Sequence, residues 1–367
     1  MPFEAAVLHQ IGEPLVIERL EIERPGPEDV LVRLGASGLC HTDLEVIQGS
    51  LAYPLPIVLG HEGAGVVEAV GNAVVGVKPG DHVVCSWNPH CGECFYCRRD
   101  LPILCEPFKR HEPRGVLFDG RSRLSLNGAV VHHFSVVSSH ARYCVVPQSG
   151  AIVVPREIPF DRACLIGCGV MTGVGAATRK AAVAPGDSVL VIGCGAVGLN
   201  VVQGARIAGA EIVVAADLDA GRRERALAFG ATHSLDPRDA GALDDLKSLC
   251  GGRGPDLAFE AAGHETAFRL AVEAVRPGGQ VVFLGKVNVD REVSFRWGSL
   301  MGEKRIVRSS YGGAVPSRDF PWLAQLYLDG RLKLDELITR RIRLDDINDG
   351  FADMRRGAGI RTVVMFD

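Results

Sequence analysis

The sequence lacks any apolar run approaching the roughly 20 residues that a bilayer-spanning helix needs. Its opening residues, MPFEAAVLHQ, lack the basic start and apolar core of a secretory signal peptide. Neither charge is in strong excess, because 40 basic residues face 44 acidic ones and the net charge is −4. These absences argue against a membrane or nucleic-acid partner. We therefore expect a cytoplasmic protein.

Eleven cysteines occur in 367 residues, without the pattern of a small disulfide-rich domain. Internal repeats, low-complexity tracts and long linkers are also absent. The length predicts two domains at roughly 150 residues each. The cysteines are therefore expected to serve as metal ligands and buried thiols.

Four of the cysteines lie in one short stretch, at the spacing C-x2-C-x2-C-x7-C: Cys91, Cys94, Cys97 and Cys105. Thiolates this close can surround one tetrahedral zinc, which holds a loop together but leaves no position for a reacting group. Arg98 and Arg99 would offset the negative charge of such a site. Disulfides or free thiols are the alternative interpretation.

The chain divides into two textures. Up to about residue 170, short strand-like runs such as 30–34, 64–70 and 81–85 are separated by glycine and proline, which predicts a mostly β domain. From about Ser188, apolar strands alternate with helical stretches, which indicates a doubly wound parallel sheet and hence an α/β protein. The strands predicted for this sheet are 189–192, 212–216, 257–260, 280–284 and 306–309.

The predicted domains are 1–170 and 171–311, followed by a return segment, 312–367, that completes the first domain. Within this segment a helix is predicted at 320–328 and a strand at 361–366.

A glycine-rich turn follows the predicted strand 189–192 and opens a helix; its key positions are Gly193, Gly195, Val197 and Gly198. The first glycine permits a tight turn, the second lets backbone approach a pyrophosphate, and the third lets helix and strand pack closely. The helix N-terminus adds partial positive charge. In this context the pattern is the fingerprint of a dinucleotide-binding Rossmann domain.

Asp217 lies 19 residues beyond Gly198, at the end of the next strand, where its carboxylate would accept hydrogen bonds from both adenosine ribose hydroxyls. A 2′-phosphate would meet like charge there, which favours NAD over NADP. Arg222 and Arg223 weaken this preference, although a solvated helix face is the alternative for Arg223.

Motifs along nearly the whole chain resemble the zinc-containing medium-chain alcohol dehydrogenases. Gly60-His61-Glu62-Gly63-Ala64-Gly65, followed by Gly71, resembles the family's G-H-E-x2-G-x5-G signature. The other matching stretches are 38–43, the four-cysteine stretch, 167–169 with Thr172, the glycines of 193–198, Asp217 and 359–362. The resemblance implies a GroES-like, mostly β catalytic domain that carries a structural zinc lobe at about 88–106, beside the Rossmann cofactor domain.

At matching positions, the resemblance implies that Cys40, His61 and Cys168 bind a catalytic zinc and leave a fourth position for water or substrate oxygen. Spacing alone makes only a weak case, because these residues are far apart in the sequence. Glu62 would lie behind the metal as an occasional ligand, and Asp43 would orient the His61 imidazole.

The resemblance also assigns residues to substrate and cofactor. Thr42 would hydrogen-bond the reacting oxygen, and Leu51 and Trp87 fall in the substrate pocket, although an isolated tryptophan is more often plain core. The residues assigned to NAD outside the glycine turn are His41, Thr172, Arg222 and Arg361. A surface histidine is the alternative for His41.

One position departs from the family pattern. Many relatives carry a histidine five residues after the first ligand cysteine, at the end of a proton relay, and this chain has Glu45 there. Our hypothesis is that Thr42 receives the alcohol proton and that Glu45 or water completes the route. A surface glutamate is the alternative.

The insert at 106–131 resembles that of dimeric members, which predicts a homodimer. The predicted function is hydride transfer between NAD and a primary or aromatic alcohol, its aldehyde or ketone, with two zinc ions per subunit. The enzymatic alternative is an S-(hydroxymethyl)glutathione or other thiol-conjugate formaldehyde dehydrogenase, although Leu51 replaces the acidic pocket residue of those enzymes. A non-catalytic NAD-binding sensor is the alternative from another class.

Overall fold

A computed structural model describes residues 1–288 and 290–366. The chain forms two compact units, one made of Met1–Cys168 with the segment from Val315 onward, and the other of Gly169–Ala314. Among the described residues, no helix combines the length and apolar character needed to cross a bilayer. All eleven cysteines are free thiols.

Short strands dominate the first segment of the chain, as its glycine- and proline-punctuated apolar runs predict. The strands are β1 (Pro2–Leu8), β2 (Val16–Ile22), β3 (Asp29–Gly38), β4 (Ile57–Val58), β5 (Glu62–Val70), β6 (His82–Cys85), β7 (Leu124–Leu126), β8 (Ala129–His133), β9 (Tyr143–Pro147) and β10 (Ala151–Val153). The helices of this segment are α1 (His41–Ile47), α2 (Glu106–His111) and α3 (Phe160–Leu165). Strands β1, β2, β7, β8 and β4 pair in that order into a sheet that closes on itself, because β4 also pairs with β1.

The second unit is a parallel sheet with helices between its strands. The helices are α4 (Met171–Gly175), α5 (Ala196–Ile207), α6 (Ala220–Ala228), α7 (Ala242–Leu249) and α8 (Glu265–Ala274). The strands are β11 (Ser188–Ile192), β12 (Ile212–Ala216), β13 (His233–Leu235), β14 (Leu257–Glu260), β15 (Gln280–Phe283) and β16 (Arg305–Arg308), paired in the order β13-β12-β11-β14-β15-β16. Strands β11 and β14 are buried along their whole length, as expected for a parallel sheet covered on both faces. The predicted α/β doubly wound fold is confirmed.

The return segment contributes α9 (Pro316–Leu328), β17 (Ile338–Ile342), α10 (Ile347–Arg355) and β18 (Arg361–Met365). Its last strand joins the main sheet of the first unit, which runs β10-β6-β5-β3-β18-β17 with β9 also on β3. In this register Gly38, at the end of β3, pairs with Glu62 on one side and Val363 on the other. Residues from the two ends of the chain therefore meet at Gly38.

Candidate metal centres and dinucleotide site

Cys40, His61, Glu62 and Cys168 converge in the first unit. One ligand atom from each lies within 4.8 Å of all the others. His61 and Glu62 are buried, whereas both cysteines are partly exposed. Two thiols, an imidazole and a carboxylate are ligands that zinc binds, and both cysteine residues are partly exposed, as a site open to a small molecule requires.

Local structure places Cys40 at the cap position of α1. The backbone N–H of Cys40 donates to Asp43 Oδ2 over 3.0 Å, which closes the first turn in the manner of a capping box. The sulfur of Cys40 therefore projects from a fixed turn. Its partner Cys168 lies in a π-helical turn, Ile166–Val170, that follows α3, and such turns are frequent at functional sites.

His61 is held by its neighbours on the chain. Gly60 adopts a φ of +91°, and a side chain on it would meet the His140 backbone nitrogen at 2.5 Å. The Gly60 N–H donates to Asp43 Oδ1 over 3.0 Å, and the same oxygen lies 3.1 Å from His61 Nδ1. Because a carboxylate only accepts, His61 carries its proton on Nδ1 and turns Nε2 toward the sulfurs.

Asp43 remains ionised in this position. Burial by itself would raise its pKa, but the charge of His61 and the contact with His140 hold the pKa well below its usual range. The carboxylate is therefore a permanent acceptor for the imidazole.

Glu62 forms a buried ion pair. Its Oε2 accepts from the Arg361 guanidinium, and Gly38 makes room for the pair because a side chain there would meet Glu62 Oε2 at 2.4 Å. Glu62 Oε1 is buried without a hydrogen-bond partner among the described residues. Burial raises the pKa of Glu62 to about 7, against the opposing charge of Arg361. The unpartnered oxygen beside two sulfurs and an imidazole fits a cation.

The two sulfurs of the site shift each other's pKa in opposite directions. A hydrogen bond from Cys168 lowers the pKa of Cys40, and the same contact raises the pKa of Cys168. A divalent cation between the two sulfurs would lower the pKa of both thiols, so that both could be thiolates.

Cys91, Cys94, Cys97 and Cys105 form the second cluster, with sulfurs within 4.8 Å of one another. Backbone N–H groups point at the sulfurs: Cys91 N–H donates to the Cys105 sulfur and Cys94 N–H to the Cys91 sulfur, each over 3.3 Å. Burial would raise the pKa of Cys94, but backbone donors such as Cys97 N–H lower it to about 6. Four sulfurs gathered at this distance, with backbone donors aimed at two of them, fit a structural zinc.

The three glycines of the turn in the second unit differ in how much space surrounds them, as the sequence pattern predicts. Gly193 has a φ of +93°, and side chains on Gly193 or Gly198 would collide with backbone, in the latter case with the Gly193 carbonyl oxygen at 1.8 Å. A side chain on Gly195, in contrast, would meet nothing within 4 Å, and Gly195 caps α5. The turn thus leaves its middle glycine open in front of a helix N-terminus, as a pyrophosphate requires.

Asp217 follows β12 and is itself positioned by the turn. Its Oδ2 accepts from Cys194 N–H over 2.8 Å, and its Oδ1 accepts from Asp219 N–H over 2.9 Å. Arg223 donates to the Asp217 carbonyl oxygen over 2.7 Å and pairs with Asp236, so its charge is committed to protein partners. The Asp217 carboxylate is accordingly held in place at the end of β12, and its role toward the adenosine ribose stays a prediction.

The other predicted residues lie as follows. On α1, His41 is exposed, Thr42 and Glu45 are partly exposed, and the Cys40 sulfur lies 3.8 Å from Thr42 Oγ1. Leu51 packs at the edge of an apolar cluster that includes Phe134. The Trp87 ring lies 6.3 Å from that of Phe108.

In the second unit, Thr172 is on α4, Val197 is in the first turn of α5 and Arg222 is in the first turn of α6. The roles predicted for these residues toward NAD, and that of Arg361, stay predictions. Three buried residues that are linked to Asp43 by successive contacts, His140, Ser37 and Ser139, are absent from the sequence-based assignment, because no motif distinguishes them.

Comparisons with known proteins agree with this geometry. Residues 26–156 match the alcohol dehydrogenase GroES-like domain, and residues 196–329 match the zinc-binding dehydrogenase family. The chain is 39% identical over 369 residues to an NDMA-dependent alcohol dehydrogenase of Amycolatopsis methanolica, covering 100% of this chain and 99% of that one. It is 36% identical over 375 residues to the S-(hydroxymethyl)glutathione dehydrogenase of Paracoccus denitrificans, covering both completely.

This chain belongs to the zinc-dependent medium-chain alcohol dehydrogenases. Among solved structures, benzyl alcohol dehydrogenase from Acinetobacter calcoaceticus superimposes with a TM-score of 0.95 at 31% identity, over 100% of both chains. As a member of this family, the chain is an NAD-dependent oxidoreductase whose four-cysteine cluster is the structural zinc site. The predicted family, fold and cofactors are confirmed.

At the candidate catalytic centre of this alcohol dehydrogenase, the ligands and the residues around them have separate roles. Zinc held by Cys40, His61 and Cys168 would supply Lewis-acid polarisation of a substrate oxygen. Asp43 holds the imidazole in one tautomer, and the buried Arg361 guanidinium balances the carboxylate of Glu62. The protein therefore fixes both the orientation and the charge of the ligand set.

Proposed function

We propose that this alcohol dehydrogenase transfers a hydride between NAD and a primary or aromatic alcohol, and that Cys40, His61 and Cys168 form its catalytic centre. The observation that carries the proposal is the convergence of these side chains with the unpartnered carboxylate oxygen of Glu62. A sensor that only binds NAD needs no such open ligand set. The distant four-cysteine cluster already provides the structural metal.

Aromatic side chains beside His61 support an aromatic substrate. The Phe134 ring lies edge-on to the His61 ring at 5.5 Å, and the Tyr53 ring lies edge-on to Phe134 at 5.0 Å. Tyr53 and Leu51 are partly exposed. Ring centroids at 4.5–7 Å are favourable, so a further ring can extend such a set. The benzyl alcohol dehydrogenase of similar fold agrees with this class of substrate.

We infer that α1 carries the substrate proton away. Thr42 Oγ1 lies beside the Cys40 sulfur, and Glu45 follows one turn later on the same helix. Thr42 accepts the substrate's hydroxyl proton and gives up its own toward Glu45, directly or through water. Replacing Glu45 by Gln should flatten the pH profile of alcohol oxidation, and an unchanged profile would remove Glu45 from the route.

The function is tested by following NADH formation at saturating NAD with benzyl alcohol, short primary alcohols and secondary alcohols. We expect turnover with benzyl or primary alcohols. The variant Cys40→Ser should lose at least about 100-fold in kcat/KM, the upper end of what loss of an indirect metal partner costs. It should still bind NADH in a fluorescence titration. Protein that carries two zinc ions and oxidises none of the alcohols would contradict the proposal.

A second candidate is oxidation of the glutathione adduct of formaldehyde, since relatives named S-(hydroxymethyl)glutathione dehydrogenase match the chain at 36% and 37% identity. Lys109 and Arg110 are basic residues of the insert 106–131 that would attract an anionic conjugate. NADH formation from formaldehyde only when glutathione is added would favour this candidate. Equal rates of benzyl alcohol oxidation with and without glutathione would favour the first.

We further propose a homodimer in a reducing compartment such as the cytoplasm. Strand β16 is an edge strand of the sheet in the second unit, and its residue Ile306 is 40% exposed. Two more apolar residues shortly before it in the sequence are exposed, Trp297 by 78% and Met301 by 62%. A sheet edge with exposed apolar side chains is suited to pairing with a second copy. Sedimentation analysis should show a dimer that Ile306→Lys weakens. The eleven free cysteines favour reducing conditions.

A further inference from the structure

A chain of buried polar side chains extends from His61 into the first unit. It runs through Asp43 to His140 and ends at Ser37 and Ser139; we call these five residues the relay network. All five are buried, with exposed fractions of 3% for His61 and 0% for the other four. Buried polar groups are costly unless partnered, so an arrangement of this kind requires an explanation.

The contacts of the relay network are specific. His140 Nδ1 lies 3.0 Å from Ser37 Oγ, and Ser37 Oγ lies 2.7 Å from Ser139 Oγ. His140 Nε2 lies 3.7 Å from Asp43 Oδ2, and it has no nearer hydrogen-bond partner among the described residues. The other Asp43 oxygen faces His61 Nδ1 at 3.1 Å.

The chemistry of the partners decides the proton positions. Asp43 only accepts, so His140 presents N–H to it from Nε2. His140 Nδ1 then lies against the Ser37 hydroxyl, which can donate to it because Ser37 is in turn paired with Ser139. The two serines thus select the tautomer that directs an N–H at Asp43.

The surroundings leave His140 little freedom. A side chain on Gly60 would meet His140 Nδ1 at 2.6 Å and Ser139 Oγ at 2.7 Å. The Phe351 ring lies edge-on to the His140 ring at 5.8 Å. His140 is therefore fixed between backbone, aromatic ring and hydroxyl, with Nε2 toward the carboxylate.

We propose that His140 is a positioning residue for the catalytic metal, acting through Asp43 on His61. Its N–H faces the carboxylate oxygen that His61 does not use, which holds the carboxylate plane and so the Nδ1–H tautomer and ring orientation of His61. The proposal rests on the assignment of His61 as a ligand. It concerns metal affinity first and turnover only as a consequence.

The test measures zinc affinity at each of the two sites of the intact protein by competition with a chromophoric chelator. Cys40→Ser and Cys97→Ser identify which zinc belongs to which site. His140→Phe, which keeps an aromatic ring but has no N–H, should weaken the catalytic-site zinc about 10-fold, the lower end of the effect of outer partners. The four-cysteine zinc should be unchanged. His140→Gln, which can restore an N–H toward Asp43, should recover most of the affinity.

Matched controls separate positioning from folding. His133 is equally buried, but its Nε2 accepts from Arg123 N–H, so His133→Gln should leave the catalytic-site zinc unchanged. If His140→Phe does not fold, Ser37→Ala is the deciding variant. It removes the hydroxyl that pairs with His140 Nδ1 and with Ser139, and it should weaken the same zinc several-fold. If folded His140→Phe protein binds two zinc ions with unchanged affinity at the catalytic site, the role of His140 is overturned, whereas the metal site itself stands. A wild-type protein that binds only one zinc would overturn the site as well.

Discussion

Oδ1 of Asp43 lies 3.1 Å from Nδ1 of His61, although 17 residues separate the two positions in the chain and both side chains are buried. The same carboxylate accepts from the backbone N–H groups of Cys40 and Gly60. One side chain therefore holds two of the proposed metal ligands: Cys40 through the backbone of its turn, and His61 through its ring.

Replacing Asp43 by Asn should lower kcat/KM by about 10- to 100-fold and weaken zinc at the catalytic site by a similar factor. Asn offers a single acceptor oxygen, so it cannot serve His61 and both backbone donors at once. Enzyme kinetics and metal analysis after dialysis against a chelator measure the two effects. Unchanged zinc retention in folded Asp43→Asn protein would contradict the assignment.

Replacing Cys97 by Ser should remove one zinc per chain and lower stability, while the catalytic zinc remains. Structural zinc contributes roughly 10–16 kcal/mol in isolated fingers. Loss of even a quarter of this would lower Tm by several degrees, at roughly 2–4 °C per kcal/mol for a unit of this size. Metal content and calorimetry measure the change. Cys250→Ala, a buried thiol outside both clusters, is the control that should keep two zinc ions.

Replacing Asp217 by Ser should shift the cofactor preference toward NADP. The carboxylate would repel a 2′-phosphate by roughly 4 kcal/mol at about 4 Å and an effective dielectric of about 20, and it also provides hydrogen bonds that NAD needs. The ratio of kcat/KM for NADP to that for NAD should rise by about 100-fold. Asp217→Asn, which keeps one acceptor for the Cys194 or Asp219 N–H, separates charge from loop support. An unchanged ratio in both variants would rule out Asp217 as the selector.

The parts of the fold that the sequence predicts well are those with one dominant physical signal. Strand β12 is an uninterrupted apolar run, and β14 is apolar up to its last residue, Glu260. The structure has both strands at the predicted limits. Strand β13 carries the polar residues His233 and Ser234, and β4 is only two residues long, so neither has a periodic pattern to detect.

The candidate site divides in the same way. The glycine turn and the four cysteines are local motifs whose spacing carries their chemistry, whereas the catalytic ligands required a family resemblance. Contacts that depend on how strands pair leave no local pattern in the sequence. For example, Gly38 pairs with both Glu62 and Val363, and this pairing brings Arg361 to Glu62. His140 likewise meets Asp43 from a remote part of the sequence, and a buried histidine cannot be told from a surface one in a sequence.

His133 offers a test of pH dependence away from both metal centres. Burial, reinforced by the charge of Arg123, lowers the pKa of His133 to about 3 in the folded protein, against about 6.5 unfolded. Because the folded pKa is depressed, the unfolded chain takes up the proton first as the pH falls below 6.5. Stability present above pH 6.5 is thus lost progressively toward pH 3, by on the order of 1.4 kcal/mol per pH unit.

The variant His133→Gln can place its carbonyl oxygen near the position of Nε2, which keeps an acceptor for the Arg123 backbone N–H, but it does not titrate. Between pH 7.5 and 4.5, the free energy of unfolding from urea titrations should therefore fall about 2–3 kcal/mol further in the wild type than in His133→Gln. Acid effects on the zinc ligands are common to both proteins and cancel in this difference. If the free energy of unfolding fell equally with pH in both proteins, His133 would be protonated in the folded protein as readily as in the unfolded one. The assignment of His133 as a buried neutral imidazole beside Arg123 would then be wrong.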